Sequence, residues 1–454
     1  MSKIKSITEL EKWLDAYLNF EKLPQKNIFW LDTIQFLCSK FGNPQNCAPS
    51  VHIAGSKGKG SVSAMTSSIL EEAGYSVGLY MSPHILDFVE RVGTAHNTFP
   101  SSVYDRAVQE LQEGISLISP NDLPGGRALT WFELVTLFAF LCFRTAKVDW
   151  GVYEVGLGGR LDATNVLLPT VCAIGPIELE HTQYLGNTVE KIAGEKAGII
   201  KDRVPVVIAT QKPSVKNVFI AVAKKHKAPI KFVDDLLAAY TFSYSSKSGD
   251  NRYKMNIHLE SNLFRVPIDT YLQLLGEFQV QNAALAAFAV KTIFPDMDEQ
   301  IIARGLSRAF LPGRFEMLPH PGKFYGITEL VLDGAHTVNS VRYTMRTFST
   351  LFTSKNAHLL FGCAADKDAE DIASCFKGYF SRITLTRPGS IKQSDMERMK
   401  LAFSTAGLHF AAYDDYTFAI CRAMEDASTE SVPLLVTGSF YLIAEVKKFL
   451  AVQR

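Results

Sequence analysis

Apolar and polar positions alternate in two rhythms along this chain. Short apolar runs, each closing on a glycine or a polar residue, are followed by stretches whose apolar residues recur three and four apart. The runs VHIAG, SVGLYMS, DWGVYEVG, TVCAIG and PVVIAT read as strands. Helices are expected over Ser61–Ala73, with Val62, Met65, Ile69 and Leu70 on one face and Gly74 as the stop, and over 101–118, 130–146 and 188–197. Two more, ITELEKWLDAYLNF and NIFWLDTIQFLCSKF, occupy the first 45 residues. Strands alternating with helices predict an α/β fold with a mostly parallel sheet. Residues 238–270 break this rhythm: NRYKMNIHLE alternates with period two and predicts a small antiparallel ribbon. Helices follow over 279–293 and 298–309. Pro312 and Gly313 in FLPGRFEML then interrupt the pattern, which places a boundary between a domain of residues 1–311 and one of residues 312–454. Beyond it LVLDG, HLLFG, RITLT and LLVTG are each followed by a helical stretch, a second and smaller Rossmann-like α/β domain.

Composition narrows the class. The chain has 454 residues and a net charge of +1, which gives no reason to expect nucleic acid or an anionic membrane as partner. Its seven cysteines include no C-x-x-C pair, against a zinc ribbon and a disulfide framework. The N-terminus MSKIKSITELEKW is charged and amphipathic, unlike a signal peptide. The most apolar run, Leu134–Phe143, is bracketed by Glu133 and Arg144 and is too short to span a bilayer, so it reads as a buried helix. A cytoplasmic enzyme is the expectation.

The candidate chemistry lies where strands end. Residues 51–61 read VHIAGSKGKGS, so the glycines fall between a strand and a helix N-terminus, where unpaired N–H groups and the helix dipole favour an anion. Lys59 adds a cation and Ser61 a hydroxyl. The stretch departs from the full G-x-x-x-x-G-K-[ST] spacing, since Gly60 separates Lys59 from Ser61, and a plain glycine-rich turn is the competing reading. Glu154 ends an apolar strand before a loop with Arg160 and Asp162, and a carboxylate there suits Mg²⁺, which wants oxygen ligands. His181 lies in a loop, with Glu195 and Lys196 on the helix that follows. Asp333 and His336 end another strand, where a helix cap by Asp or Thr is the simple alternative. Arg314 stands at the domain boundary, suited to a nucleotide phosphate.

Together these blocks resemble the folylpolyglutamate synthase and dihydrofolate synthase family, relatives of the Mur ligases. HIAGSKGKGS is similar to the family's phosphate loop. SPHILDFVERV, LTWFELVTLFAF, VGLGGRLDATN, EHTQYLGNTVEKIAGEKAGIIK, GEFQVQNAALAA, LPGRFE, LDGAHT, FGCAADKD and VTGSFYLIAEV match in order over nearly the whole length. The resemblance implies an ATP-dependent ligase. ATP phosphorylates a pterin or folate carboxylate, and the amine of L-glutamate attacks the acyl phosphate. It implies that Gly55, Ser56, Lys57, Gly58, Lys59, Gly60 and Ser61 wrap the phosphates. Gln279, Asn282, Arg314, Asp333 and His336 would also serve the nucleotide, the last three on domain closure. It implies two Mg²⁺ sites, one on Ser82 and Glu154 with Ser61 beside the phosphates, the other on Glu154, His181 and a Lys196 carbamylated by CO₂. K⁺ is a further cation in the same expectation. Lys59, Glu154, His181 and Lys196 would carry catalysis. Pro83, Thr130, Phe132, Asp162 and Ala163 match the pterin pocket, where an aromatic face and a carboxylate suit an amino-pyrimidine edge. Glutamate is expected in the cleft between domains, whose closure keeps water from the acyl phosphate.

The chain departs from the family pattern at several places. Glu180 precedes His181 where the family has Asp, Glu178 replaces a small residue, Gly175 replaces Thr or Ser, and Thr337 replaces Asn. ERVGTAHNTF lacks the family's Asn-Gly pair. These bear on which acceptor is used: dihydropteroate, a reduced folate, or both in a bifunctional enzyme, which is the expectation. The alternatives are a Mur-type ligase acting on another carboxylate, a catalytically inactive nucleotide-binding homologue and, most remotely, a generic phosphate-loop kinase. A monomer is expected.

Overall fold

The apolar runs read as strands are all strands in the computed structural model, which describes residues 6–19, 30–248, 252–318, 323–352 and 356–452. Contacts along the chain divide it into two compact units. The first holds residues 1–241, 257–271 and 279–310, and the second holds 242–256, 272–278 and 311–454.

The first unit is built on a seven-stranded sheet: β1 (Ser50–Ala54), β2 (Val77–Tyr80), β3 (Val92–Gly93), β4 (Trp150–Glu154), β5 (Val171–Ile174), β6 (Val206–Ile208) and β7 (Ile230–Phe232), in the order β3-β2-β4-β1-β5-β6-β7. All neighbours are parallel except β2 and β3. β1, β4 and β5 are buried along their length, as strands covered on both faces must be. The helix Trp131–Ala146 accounts for the most apolar run: Leu134–Phe143 is wholly buried against the helix Ser101–Ser116 and its neighbours. Thr130 caps it, accepting from Glu133 N while Glu133 reaches back to Thr130 N, the reciprocal arrangement that fixes a helix start.

Three details differ from the sequence reading. The helix expected over the first apolar stretch ends at Leu14, and Phe20 lies outside the described residues. Leu18 O instead accepts Trp131 N at 2.9 Å, so a tertiary bond takes the chain out of the helix. The second early helix is Asp32–Lys40, and residues 27–29 of the expectation lie outside the described residues. The helix Pro213–Lys225 was not expected, although Val215, Phe219 and Ala223 recur every fourth residue and are buried.

A small sheet follows, of β8 (Leu237–Ser248), β9 (Arg252–Ser261) and β10 (Ile268–Leu272) in the order β10-β9-β8, where the alternating stretch predicted a ribbon. The helix Phe278–Ile293 returns to the first unit and is buried on almost every side.

The second unit carries a six-stranded sheet: β11 (Glu316–Leu318), β12 (Leu330–Asp333), β13 (Ala357–Phe361), β14 (Phe380–Thr386), β15 (Ala411–Tyr413) and β16 (Leu434–Thr437), ordered β11-β12-β16-β13-β14-β15. Only β11 runs antiparallel. All seven cysteines are unpaired, in line with the absence of a disulfide pattern. No helix among the described residues is long and apolar enough to cross a membrane.

Candidate active site

Parallel pairing sets the carboxyl ends of neighbouring strands side by side, and loops leaving them converge. Ile53 of β1 is in register with Glu154 of β4, and Ala54 with Ile174 of β5. The glycine loop after β1, Glu154, and the segment 175–181 after β5 therefore share one edge of the sheet. Ser82, after β2, joins them: its N–H donates to Glu154 Oε2 at 3.2 Å.

The loop 55–58 leads straight into the helix Lys59–Glu72. Ser56 N and Lys57 N donate back to Pro176 O at 2.9 and 3.4 Å, which ties the loop to the segment after β5. The two segments approach this closely because Gly55 and Gly175 lack side chains. A Cβ on Gly175 would lie 2.5 Å from Lys57 O, and one on Gly55, at φ 146°, would lie 2.9 Å from Gly175 Cα. Gly175 is thus matched by a loop that has closed over it. Asn282 packs on Gly58 from the helix Phe278–Ile293, donating through Nδ2 to Gln279 Oε1 at 2.9 Å. Gln279 Nε2 is buried and has no hydrogen-bond partner among the described residues. A buried donor facing this loop fits an acceptor-rich ligand such as a nucleotide.

Two lysines meet on one carbonyl. Lys59 Nζ donates to Gly55 O at 3.1 Å and Lys196 Nζ to the same oxygen at 2.9 Å. Lys196 is 1 % exposed and also donates to Glu180 Oε1 at 2.8 Å. The longer side chain of Glu180 thus reaches the lysine itself. Burial pushes the Lys196 ammonium down, Glu180 pulls it back, Lys59 repels it, and it settles at about 8. Burial alone would raise Glu180; the charges of Lys196 and Lys59 overcome it and hold the carboxyl down at about 2. The pair is charged at neutral pH. His181 follows in a left-handed conformation, φ 46°, and opens the short helix Thr182–Leu185.

No group of three or more His, Cys, Asp and Glu among the described residues could by itself hold a metal ion. The donor set nevertheless fits Mg²⁺, which keeps waters and takes one or two carboxylates together with substrate phosphates. Glu154, 4 % exposed beside the phosphate loop, supplies such a carboxylate.

Of the residues matched to a pterin pocket, Phe132 and Asp162 meet beside Gly156, in the loop after β4. A Cβ on Gly156 would meet Phe132 Cζ at 2.4 Å and Asp162 Oδ2 at 3.2 Å, so ring and carboxylate both crowd the space a glycine leaves. Asp162 is heavily engaged: Oδ1 accepts Thr164 N at 3.0 Å and Thr164 Oγ1 at 2.5 Å, and Oδ2 accepts Leu157 N at 2.8 Å. It caps the turn Ala163–Val166. Burial makes it a weaker acid than an ordinary carboxyl, pushing its pKa up despite these donors. Thr130 is likewise committed to its helix cap, with its hydroxyl on Glu133 Oε2 at 2.8 Å. Pro83 lies beside Ser82, and Ala163 is buried.

The second unit contributes its own cluster. Asp333, ending β12, accepts Phe315 N through Oδ2 at 2.8 Å, and Ala335 N and Thr344 Oγ1 through Oδ1, both at 2.9 Å. Arg314 lies over the Phe440 ring, 4.3 Å from its centre. His336 Nδ1 bonds Gly334 O at 2.7 Å. Thr337 caps the helix Val338–Leu351, sharing a capping box with Ser340, so it serves the helix start where the family has Asn.

The family profile "Mur ligase, glutamate ligase domain" matches residues 313–440. The folylpolyglutamate synthase of Lacticaseibacillus casei is 30% identical over 91% of this chain and 92% of its own length. The chain belongs to the folylpolyglutamate synthase and dihydrofolate synthase family. The dihydrofolate synthase/folylpolyglutamate synthase of Bacillus subtilis is 28% identical over 97% of this chain and 98% of its own. An Escherichia coli structure of the family, in complex with DHPP and ADP, superposes with a TM-score of 0.80 at 26% identity, covering 98% of both chains. The α/β architecture with two parallel sheets and a small antiparallel one is that of the family.

His52 went unnoticed in the sequence. It sits inside the apolar run of β1, fully buried, with Nε2 2.8 Å from Thr164 Oγ1. A histidine three residues ahead of Gly55, in an otherwise apolar run, was the available signal.

Proposed function

We propose that this chain is a bifunctional dihydrofolate synthase/folylpolyglutamate synthase, an ATP-dependent ligase that joins L-glutamate to the carboxylate of dihydropteroate or of a reduced folate. The observation that carries the reading is the phosphate loop: Lys59 and the buried Lys196 both donate to Gly55 O at the start of the helix Lys59–Glu72. Relatives that match almost end to end support it.

In this reading the N–H groups of Gly58, Lys59, Gly60 and Ser61 and the Lys59 ammonium bind the ATP phosphates, assisted by Gly55, Ser56 and Lys57. Gln279 and Asn282 serve the nucleotide beside them, and Arg314, Asp333 and His336 do so from the second domain, taken as residues 312–454. The acceptor carboxylate attacks the γ-phosphorus, ADP leaves, and the glutamate amine displaces phosphate from the acyl phosphate. Cations aimed at the transferring group stabilise the charge that builds up. Ser61, Ser82, Glu154, His181 and a carbamylated Lys196 are the residues that would hold Mg²⁺ at two sites. Bound there, the metal screens the meeting anions and acts as a Lewis acid. A carbamate on Lys196 requires the ammonium to give up its proton and leave its pairing with Glu180; burial and the Lys59 charge push that ammonium down and so favour this step. K⁺, a monomeric state and a cytoplasmic location complete the proposal. Pro83, Thr130, Phe132, Asp162 and Ala163 form the pterin pocket.

The test is ADP release with Mg-ATP and L-glutamate, run with dihydropteroate, with tetrahydrofolate and with neither. Turnover with both acceptors is expected. Silence with both, from a folded protein that binds ATP, would remove the folate reading.

A further inference from the structure

We propose that His52 and Thr164 are positioning residues for the pterin pocket, a buried relay that fixes the loop 156–162 against Phe132. The inference rests on the pterin reading of Phe132 and Asp162 given above. It adds two residues that the reading did not contain.

Hydrogen-bond directions determine the relay. Thr164 has one hydroxyl proton and gives it to Asp162 Oδ1 at 2.5 Å. Its oxygen, 2.8 Å from His52 Nε2, must therefore accept, so His52 carries its proton on Nε2. Nδ1 is then a bare acceptor, buried and without a partner among the described residues. Asp162, oriented by Thr164, accepts Leu157 N through Oδ2, and that oxygen lies 3.2 Å from the Cβ position of Gly156, where the Phe132 ring also arrives. The chain of contacts runs from the centre of the sheet, through one hydroxyl and one carboxylate, to the backbone beside the aromatic ring.

The ring of His52 stays neutral. Burial pulls it down to about 3, and the nearby Lys201, whose ammonium donates to Asn165 O at 2.8 Å, adds to the effect. A neutral imidazole whose one hydrogen bond among the described residues goes to Thr164 is an expensive way to fill a core position, because the other ring nitrogen is left unpaired. Leucine or valine would cost less. What histidine adds is a rigid donor at the height of Thr164, and hence one permitted orientation for the Thr164 hydroxyl. An apolar residue at 52 would leave that hydroxyl an acceptor without a donor and free to turn from Asp162.

The experiment measures equilibrium dissociation constants for dihydropteroate and for ATP separately, with thermal midpoints as the check on folding. Thr164→Val and His52→Leu are expected to weaken dihydropteroate about tenfold or more while ATP changes less than about twofold, a difference of about 1.4 kcal/mol for the pterin alone. Thr164→Ser and His52→Gln, which keep a hydroxyl and an N–H donor, are expected to recover most of the affinity. Wild-type pterin affinity in folded Thr164→Val overturns the relay, as does an equal loss for both ligands. Phe132→Ala, run beside them, separates the two levels. If it weakens dihydropteroate and Thr164→Val does not, the relay alone fails. If Phe132→Ala has no effect, the pocket is misassigned and the inference falls with it.

Discussion

Asp333 accepts the backbone N–H of Phe315 across eighteen positions of sequence, and Phe315 is held at φ 47°. A bulky residue seldom adopts that conformation, which costs on the order of 1–3 kcal/mol. Gly313, at φ 67°, is left-handed too, with its N–H on Glu316 Oε2 at 2.8 Å and Lys447 on the other oxygen at 2.7 Å. Arg314 stands between two such residues, so the guanidinium is presented by a turn that two carboxylates hold in place. Asp333→Ala leaves the buried N–H groups of Phe315 and Ala335 without their acceptor, each worth about 1–3 kcal/mol, while the Thr344 hydroxyl keeps Ser340 O at 3.0 Å. The variant should melt lower by chemical denaturation and bind ATP more weakly. A variant equal to wild type in both would remove Asp333 from this role.

Gly175→Ser restores the residue type the family favours and should nevertheless be harmful here. Its Cβ would fall 2.5 Å from Lys57 O, so the loop 55–58 must lift. ATP affinity is expected to fall about tenfold, some 1.4 kcal/mol, with the fold intact. Isothermal titration with ATP checks this, and unchanged affinity would mean that the loop has another resting position of equal energy.

Lys196 and Glu180 form a nearly buried pair, and removing one partner strands the other charge at a cost of about 3–5 kcal/mol. Lys196→Met should lose stability of that order in urea and lose all ligase activity. Adding Glu180→Gln should return much of the stability and none of the activity. A single substitution as stable as wild type would contradict the charged pair.

His52 makes a prediction about acid. It titrates near 6.5 when unfolded and at about 3 when folded, so between these values the unfolded chain binds the extra proton. Stability from this residue is complete above pH 6.5 and drains away as the pH falls toward 3, by at most about 1.4 kcal/mol per pH unit. Denaturation midpoints of wild type and His52→Gln, compared at pH 7.5 and pH 5, should converge toward acid. Parallel pH dependences would show that His52 takes up its proton in the folded protein as readily as in the unfolded chain.

Lys59→Ala should bind ATP poorly and release no ADP in the coupled assay. Full turnover in that variant would end the assignment of residues 55–61 to phosphate.

The longer strands of both sheets were legible because a buried parallel strand is a short apolar run with turn residues at its ends, whereas β7, β11 and β15, three residues each, were not read. The helix Trp131–Ala146 was legible for the same reason and carries its own cap. The edge strand β3 is two residues long and has no period to read. The early loss of the first helix depends on a bond from Trp131 to Leu18, which no local pattern contains. The glycine loop between β1 and its helix could be read from its glycines and lysine, but not its closure on Gly175. The acid Asp162 could be picked out as a candidate, whereas its engagement by Thr164 and Leu157, and the histidine behind Thr164, depend on residues 112 positions apart meeting in the fold.

Two ammonium groups resting on the single carbonyl of Gly55 repel each other, and that repulsion is already felt in the lowered basicity of Lys196. The loop is in effect a charged capacitor that any tetrahedral oxyanion can discharge. Inorganic sulfate, which has neither base nor sugar, should therefore raise the melting temperature of the wild-type protein more than chloride does at equal ionic strength.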